Sequence, residues 1–155
     1  MEFIDITPLI LQKEVLKEIT DKFVNELKDK DIDYIVAPEA RGFLFGAVIA
    51  NVLNIGCIPV RKKGKLPPTT VEMGFDYEKE SGKDTLELPK LVREDYKGKR
   101  FYLVDDIYAT GNTLRVIKEA LESLGGVVVG EGVVMNITEL NSNKELFSLI
   151  DIEEE

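Results

Sequence analysis

Short apolar runs alternate along this chain with segments of helical spacing, and this alternation restricts the possible fold more than any other feature. Runs with the length of a buried strand lie at 34–37, 55–60, 101–104 and 127–135. Segments with helical spacing lie at 12–28 and 114–124, and the apolar stretch at 41–53, which is too long for one strand, predicts a buried helix. Strands that are joined through helices pair in parallel. The sequence therefore predicts an α/β fold, with a mostly parallel twisted sheet and helices on both faces.

The segment that follows the 101–104 run is the most informative part of the sequence. It places Asp105 and Asp106 directly after the strand, and then small, hydroxyl and glycine residues where the next helix begins. Backbone N–H groups at a helix N-terminus bind phosphate, and Gly111 permits a close approach of the backbone. The two carboxylates can accept hydrogen bonds from ribose hydroxyls. An Asp or Thr here could merely cap the helix, but the whole run from Val104 to Leu114 favours a site for a phosphorylated ribose.

The charge distribution narrows the class of ligand. A net charge of −9 and the absence of histidine argue against a nucleic-acid partner, which draws on many Lys and Arg side chains. Between Ala40 and Val71, however, there are five basic residues and no acidic one. This local positive zone indicates a small anionic ligand, and a solvated basic loop is an equally good interpretation of the charges taken alone.

The length of 155 residues suits a single domain over 1–155. Within it we expect a mobile loop or a loose hairpin at about 62–82, because periodicity is weak there and Pro67-Pro68 interrupts it. The acidic end from Asp151 to Glu155 is expected to lie in solvent. The single cysteine, Cys57, lies in an apolar run and is expected to be a core residue in a reducing cytoplasm. No secretion signal or membrane span is expected, since the longest apolar stretch, 42–50, is too short to cross a bilayer.

Several strings in the sequence resemble those of one enzyme family. The segment 104–114 resembles the phosphoribosyl-pyrophosphate (PRPP) motif of the type I phosphoribosyltransferases: a hydrophobic strand, two acids and an A-T-G-x-T loop. The adenine phosphoribosyltransferase branch is the most similar. Residues 38–46 resemble its pyrophosphate loop, and residues 60–67 resemble its basic segment. Residues 3–9 resemble its F-R-D-I-T-P-L stretch, and residues 77–88 resemble its Y-x-x-E-x-G pattern. The resemblance covers roughly residues 3–135.

The resemblance implies roles for matching positions on the ribose side of PRPP. Asp105 and Asp106 would hold the ribose hydroxyls. The 5-phosphate would be wrapped by the loop Ala109, Thr110, Gly111, Asn112 and Thr113. The fold implied is that of the type I phosphoribosyltransferases, with a reduced hood over the base, because the chain starts close to the F-x-D-I-T-P-L stretch.

The resemblance also implies a pyrophosphate site. Its residues would be Glu39, Ala40, Arg41, Arg61, Lys62, Lys63 and Lys65. The Glu39-Ala40 peptide would be cis, and Arg61 could reach the site of a neighbouring subunit in a homodimer. Mg²⁺ would be bound with PRPP and would have no direct protein ligand.

Catalysis and base recognition are implied at three further positions. Glu80 would be the acid/base carboxylate, although by itself it could be a solvated loop acid. Phe3 and Ile4 would lie near the base, and Ile4 stands where the family usually carries arginine.

The activity that the resemblance implies is transfer of ribose 5-phosphate from PRPP to adenine, giving AMP and pyrophosphate for purine salvage. The partners would be these small molecules and a second copy of the chain, with neither nucleic acid nor membrane involved. Two alternatives stay open: an enzyme for another purine base, and a catalytically silent PRPP-binding regulator.

Overall fold

The computed structural model describes residues 4–79 and 82–153. Its strands are β1 (Tyr34–Pro38), β2 (Gly56–Lys62), β3 (Val71–Lys79), β4 (Gly82–Pro89), β5 (Arg100–Tyr108), β6 (Val127–Ile137) and β7 (Phe147–Ile152). Its α-helices are α1 (Thr7–Ile10), α2 (Lys13–Leu27), α3 (Arg41–Val52) and α4 (Asn112–Ser123), and short 3₁₀ turns span Pro68–Thr70 and Thr138–Leu140. The strands form one sheet in the order β3-β4-β2-β1-β5-β6-β7.

Five of the strands pair in parallel, as the alternation of strands and helices predicts. β1 lies between β2 and β5, and β6 and β7 continue the sheet beyond β5. β3 and β4 form an antiparallel hairpin that joins the sheet through β4 and β2. The predicted fold class is confirmed.

Helices cover both faces of this sheet, and alternate residues of the central strand supply both cores. Phe101 and Leu103 of β5 point to one core with Ile117 and Leu121 of α4. Tyr102 and Val104 point to the other core, which α2 and α3 cover. Because β5 is buried on both faces, its apolar run is continuous rather than alternating.

β3 occupies 71–79 of the segment expected at 62–82, and it pairs with β4, which begins at Gly82. Of the two alternatives expected for this segment, the hairpin agrees with the structure. In β3 the half-buried Val71, Met73, Phe75 and Tyr77 alternate with exposed residues. This period of two is the normal pattern of a strand with one covered face. It is hard to recognise in the sequence because Gly74 and several charged residues interrupt the apolar positions.

The limits of two strands and the burial of one helix differ from the expectation. β5 continues to Tyr108, so Asp105 and Asp106 are strand residues. β7 includes Asp151 and the half-buried Ile152, so the expected acidic tail begins inside a strand. α3 is not wholly buried, since Leu44, Val48 and Val52 are 46%, 43% and 55% exposed. Their spacing of four residues places them in one apolar stripe along the helix.

None of the helices in the described part of the chain is long and apolar enough to cross a membrane.

Candidate active site

A cavity of about 380 Å³ opens at the carboxyl ends of the central strands. The chain runs outward from β1 to β2 on one side and from β5 to β6 on the other, so the strand order reverses between β1 and β5. In open α/β sheets, ligands bind at this reversal. The cavity is lined by Ile4, Pro38, Glu39, Ala40, Arg41, Lys62, Tyr77, Leu86, Asp105, Asp106, Ile107, Ala109, Thr113 and Ile137.

The two aspartates at the end of β5 form the acidic side of this cavity. Asp106 is only 4% exposed, and its Oδ2 lies 2.8 Å from Nε of Arg41 in an ion pair. That oxygen has no hydrogen bond of good geometry among the described residues. The neighbouring Asp105 accepts a hydrogen bond of 2.8 Å from the backbone N–H of Asp106 through Oδ1. The pair therefore presents acceptor oxygens that a polyhydroxylated ligand could use.

The pKa of Asp105 lies well above the usual range of an aspartate. Desolvation by the surrounding protein is the main cause, and the negative charge of Asp106 adds to it, while Arg41 opposes it. Ionised Asp105 is therefore a cost to the fold at neutral pH. Such costs are common where a site is built to bind a ligand.

Asp105→Asn should therefore raise the free energy of unfolding at pH 7. Asparagine keeps the oxygen that accepts from Asp106, and it removes a carboxylate whose pKa is raised in the folded state. The wild type loses this part of its stability as pH rises from the ordinary aspartate value, about 3.9, through the raised pKa. Thermal unfolding of both proteins from pH 3.5 to 8 should show a difference that grows as pH rises. A variant that is less stable than wild type at pH 7 would contradict this expectation.

A smaller cavity of about 120 Å³ adjoins the first, around the loop from β5 to α4. Ala109, Thr110, Gly111, Asn112 and Thr113 all line it, as the sequence predicts for a phosphate loop. Gly111 precedes the first residue of α4 and has φ of 85°, a left-handed conformation that favours glycine. Asn112 and Thr113, the first residues of α4, line the cavity, and N–H groups at a helix start can bind an anion.

The pyrophosphate segment predicted from the sequence reaches the larger cavity through Glu39, Ala40, Arg41 and Lys62. The Glu39-Ala40 peptide is cis, as the resemblance implies. Oε1 of Glu39 accepts from the backbone N–H of Lys62 at 2.6 Å and from Nε of Arg61 at 3.0 Å. Partial burial alone would raise the pKa of Glu39, but these two donors bring it below its usual range.

Three more of the predicted residues, Arg61, Lys63 and Lys65, line neither of the two cavities. The Arg61 guanidinium lies over the ring of Phe43, 5.8 Å from its centre, beside its ion pair with Glu39. Lys63 and Lys65 are exposed on the loop after β2 and do not line either cavity. Phe3 and Glu80 lie outside the described residues.

The structure adds five cavity residues that the sequence reasoning did not assign: Pro38, Tyr77, Leu86, Ile107 and Ile137. Ile107 lies within the PRPP motif, two residues from the phosphate loop, so its position in the strand could have indicated it. Tyr77 and Leu86 come from the hairpin β3–β4, and Ile137 ends β6. The family pattern that 77–88 resembles covers Tyr77 and Leu86 without assigning them a role, and no local pattern marks Ile137. Long-range pairing brings all three residues to the cavity.

Comparison with known proteins agrees with this geometry. The profile of the phosphoribosyl transferase domain family matches residues 9–149. The adenine phosphoribosyltransferase of Clostridium acetobutylicum is 49% identical over 146 residues, which are 94% of this chain and 83% of that protein.

Solved structures show the same similarity. The adenine phosphoribosyltransferase of Thermoanaerobacter pseudethanolicus superposes with a TM-score of 0.88 at 37% identity, covering 98% of this chain and 89% of that one. The Saccharomyces cerevisiae enzyme, solved with adenine and an imino-altritol bisphosphate, superposes with a TM-score of 0.81 at 34% identity, covering 95% and 86%.

Asp105, Asp106 and the loop 109–113 lie together at the strand reversal, which is the arrangement expected of a phosphoribosyltransferase. The chain belongs to that family. Within it, the chain groups with the adenine phosphoribosyltransferases.

Proposed function

We propose that this protein transfers the ribose 5-phosphate of PRPP to adenine, giving AMP and pyrophosphate, in purine salvage. The observation that carries the proposal is the composition of one cavity. At the strand reversal it brings the acid pair and the start of the loop 109–113, which are close in the sequence, together with the distant pyrophosphate segment. Each of the three has the chemistry that one part of PRPP requires.

The 5-phosphate of PRPP is proposed to lie in the smaller cavity, against the N–H groups of the loop 109–113. The ribose hydroxyls donate to Asp105 and Asp106, since ionised carboxylates accept strong, charge-assisted hydrogen bonds. The pyrophosphate lies near Arg41 and Lys62, whose positive charges stabilise it as it leaves. Nε of Arg41 lies 2.8 Å from Oδ2 of Asp106 in the structure. On binding, the ribose hydroxyls would donate to that carboxylate in place of Arg41.

The base is proposed to lie against the apolar part of the cavity, which Ile4, Ile107 and Ile137 supply. Flat apolar rings lose contact with water against such a wall. The yeast relative was solved with adenine bound. Adenine is therefore the base that we propose here.

The reaction forms a bond from a ring nitrogen of adenine to the anomeric carbon of ribose and breaks the bond from that carbon to pyrophosphate. The nitrogen loses a proton in the process. We assign the acceptance of that proton to Glu80 from the sequence pattern alone. The walls of the cavity hold the reactants together and exclude water, which would otherwise hydrolyse PRPP.

Mg²⁺ is proposed to enter with PRPP. The residues present fit an ion whose ligands come from the substrate, because Asp105 and Asp106 place carboxylate charge at the cavity while the described residues form no cluster that could hold a metal ion by itself. When bound with the substrate, it would neutralise charge on the pyrophosphate. The cytoplasm is the compartment we propose, where the free thiol of Cys57 stays reduced.

The test is incubation of the purified protein with PRPP, Mg²⁺ and each purine base in turn, with chromatography of the nucleotides and pyrophosphate. AMP formed from adenine, with no nucleotide from guanine or hypoxanthine, is the expected result. Preference for another base would replace adenine in the proposal. PRPP binding without turnover of any base would show a PRPP-binding regulator.

We also propose that two copies of the chain pair through α3. Leu44, Val48 and Val52 form an exposed apolar stripe, and such a stripe on an enzyme surface typically marks an interface. Phe43, whose ring contacts the Arg61 guanidinium, is the sequence neighbour of Leu44. Pairing through this stripe would therefore bring the Arg61 side of one site close to the second copy.

Val48→Asp should convert such a dimer to monomers, because it places a charge in the centre of the apolar stripe. Light scattering after size exclusion would measure the mass, and the activity assay would show whether the monomer still works. Val92→Asp is the matched control, since Val92 is 82% exposed in the loop before β5. Equal masses for wild type and Val48→Asp would contradict pairing through α3.

A further inference from the structure

The connection from β6 to β7 carries two asparagines, and the first of them contacts the phosphate loop. Nδ2 of Asn141 donates to the backbone carbonyl of Ala109 at 2.8 Å. It also lies 2.9 Å from Oδ1 of Asn136, which is 7% exposed at the end of β6. Asn141 is not among the residues that line either cavity. It therefore contacts the loop from outside both cavities.

The second asparagine reaches the same loop through a tyrosine. Nδ2 of Asn143 lies 3.1 Å from the hydroxyl of Tyr108 and 2.7 Å from Oε1 of Glu131 on β6. Tyr108 in turn lies directly beneath the turn of the loop, because a Cβ atom on Gly111 would be 2.3 Å from that hydroxyl. The backbone N–H of Asn143 donates to Oδ1 of Asn141 at 3.1 Å, so the two supports are linked.

The bond from Asn141 fixes the orientation of one peptide group of the loop. In a trans peptide the C=O and N–H bonds point in opposite directions. Holding the Ala109 carbonyl toward Asn141 therefore turns the N–H of Thr110 away from it, and Thr110 lines the smaller cavity. Without this bond the peptide could rotate, and its carbonyl oxygen would then repel a bound phosphate.

We propose that Asn141 and Asn143 are positioning residues, which hold the loop 109–113 in the conformation that binds the 5-phosphate. Asn141 acts on Ala109 directly, and Asn143 acts on Gly111 through Tyr108. This inference rests on the proposed PRPP site. It assigns a role in ligand binding to a connection that the sequence resemblance leaves without one.

The experiment compares Asn141→Ala and Asn141→Asp with wild type. Aspartate keeps the oxygen that accepts from Asn143, and it places a second acceptor against the Ala109 carbonyl in place of a donor. Ser142→Ala is the matched control, because Ser142 is an exposed residue between the two asparagines. The measurements are the Kd of AMP by calorimetry, the KM of PRPP and of adenine, and the Tm.

We expect the Kd of AMP and the KM of PRPP to rise about tenfold in both Asn141 variants, with the KM of adenine changed less than about twofold. The Tm should fall by only a few degrees, and Ser142→Ala should behave as wild type. If Asn141→Ala does not fold, Tyr108→Phe carries the same prediction with a rise of about threefold, since it removes only the hydroxyl.

Two results would overturn the inference. One is an unchanged Kd of AMP in the Asn141 variants. The other is a general loss of function that parallels the fall in Tm across the variants. In that case kcat would fall and the KM values of PRPP and adenine would rise by equal factors, as expected for a purely structural role. Failure of the proposed function is distinguishable, because a wild type that binds AMP without turnover leaves the comparison of AMP affinities intact.

Discussion

Asp106→Asn should lower kcat/KM for PRPP about a hundredfold or more. The buried carboxylate of Asp106 is 4% exposed, and within the described part of the chain its Oδ2 has the ion pair with Arg41 and no hydrogen bond. In the proposed complex this oxygen accepts charge-assisted hydrogen bonds from ribose, each of which contributes about 1.5–3 kcal/mol. The amide of asparagine has the same size as the carboxylate but carries no charge. Its NH₂ group can also take the position of the oxygen that now pairs with Arg41. Steady-state kinetics with varied PRPP would measure the effect.

The control for this variant is Asp21→Asn, on the exposed side of α2, where the carboxylate pairs only with Lys17. It should keep wild-type activity. The KM of adenine should change little in Asp106→Asn, because the base is proposed to lie against the isoleucines rather than the acid pair. Activity within about threefold of wild type would mean that Asp106 does not hold the ribose.

Gly111→Ala should be damaging for a different reason, which is the geometry of the phosphate loop. The residue has φ of 85°, and a Cβ atom would lie 2.3 Å from the hydroxyl of Tyr108. The left-handed conformation costs alanine about 1–2 kcal/mol, and the overlap adds about 1–3 kcal/mol unless the loop moves. Movement of the loop would relieve the overlap and misplace the phosphate, so kcat/KM for PRPP should fall about a hundredfold.

Gly98→Ala separates the two causes. Gly98 has φ of 75°, but nothing lies within 4 Å of the position that a Cβ atom would take. This variant should therefore show only the conformational cost, about 1 kcal/mol by denaturant unfolding, with unchanged kinetics. If Gly111→Ala matched Gly98→Ala in both stability and activity, the close contact with Tyr108 would have no role in the site.

Much of the fold could be predicted because its signals are local. The spacing of Val15, Ile19 and Phe23 is enough to predict α2, and the apolar run at 101–104 predicts β5. The loop 109–113 has an equally local signature, since acids, hydroxyls and glycine follow one another at the end of a strand. The parallel pairing of the central strands then follows from the rule that strands joined through helices lie parallel, but this rule does not give their order in the sheet.

The hairpin β3–β4 and the strand β7 are different, because their partners are distant in the sequence. β3 has a period of two, but interrupted by charges, and it becomes a strand by pairing with β4 over nine residues. β7 is a short strand at the edge of the sheet, and its pairing with Gly132 to Ile137 of β6 decides its conformation. Single-sequence patterns hold no record of such pairings.

The sequence by itself determined the alternating α/β architecture, the phosphate loop and the family to which the chain belongs, because each depends on residues that are neighbours along the chain. Only the tertiary structure decided which side chains meet. It paired Arg41 with Asp106 and brought Ile4, Ile107 and Ile137 to the larger cavity. It also brought Asn141 into hydrogen-bond contact with Ala109. These residues lie 30 to 133 positions apart in the sequence. Distances of this kind are set by the packing of the whole sheet and its helices, which no local pattern encodes.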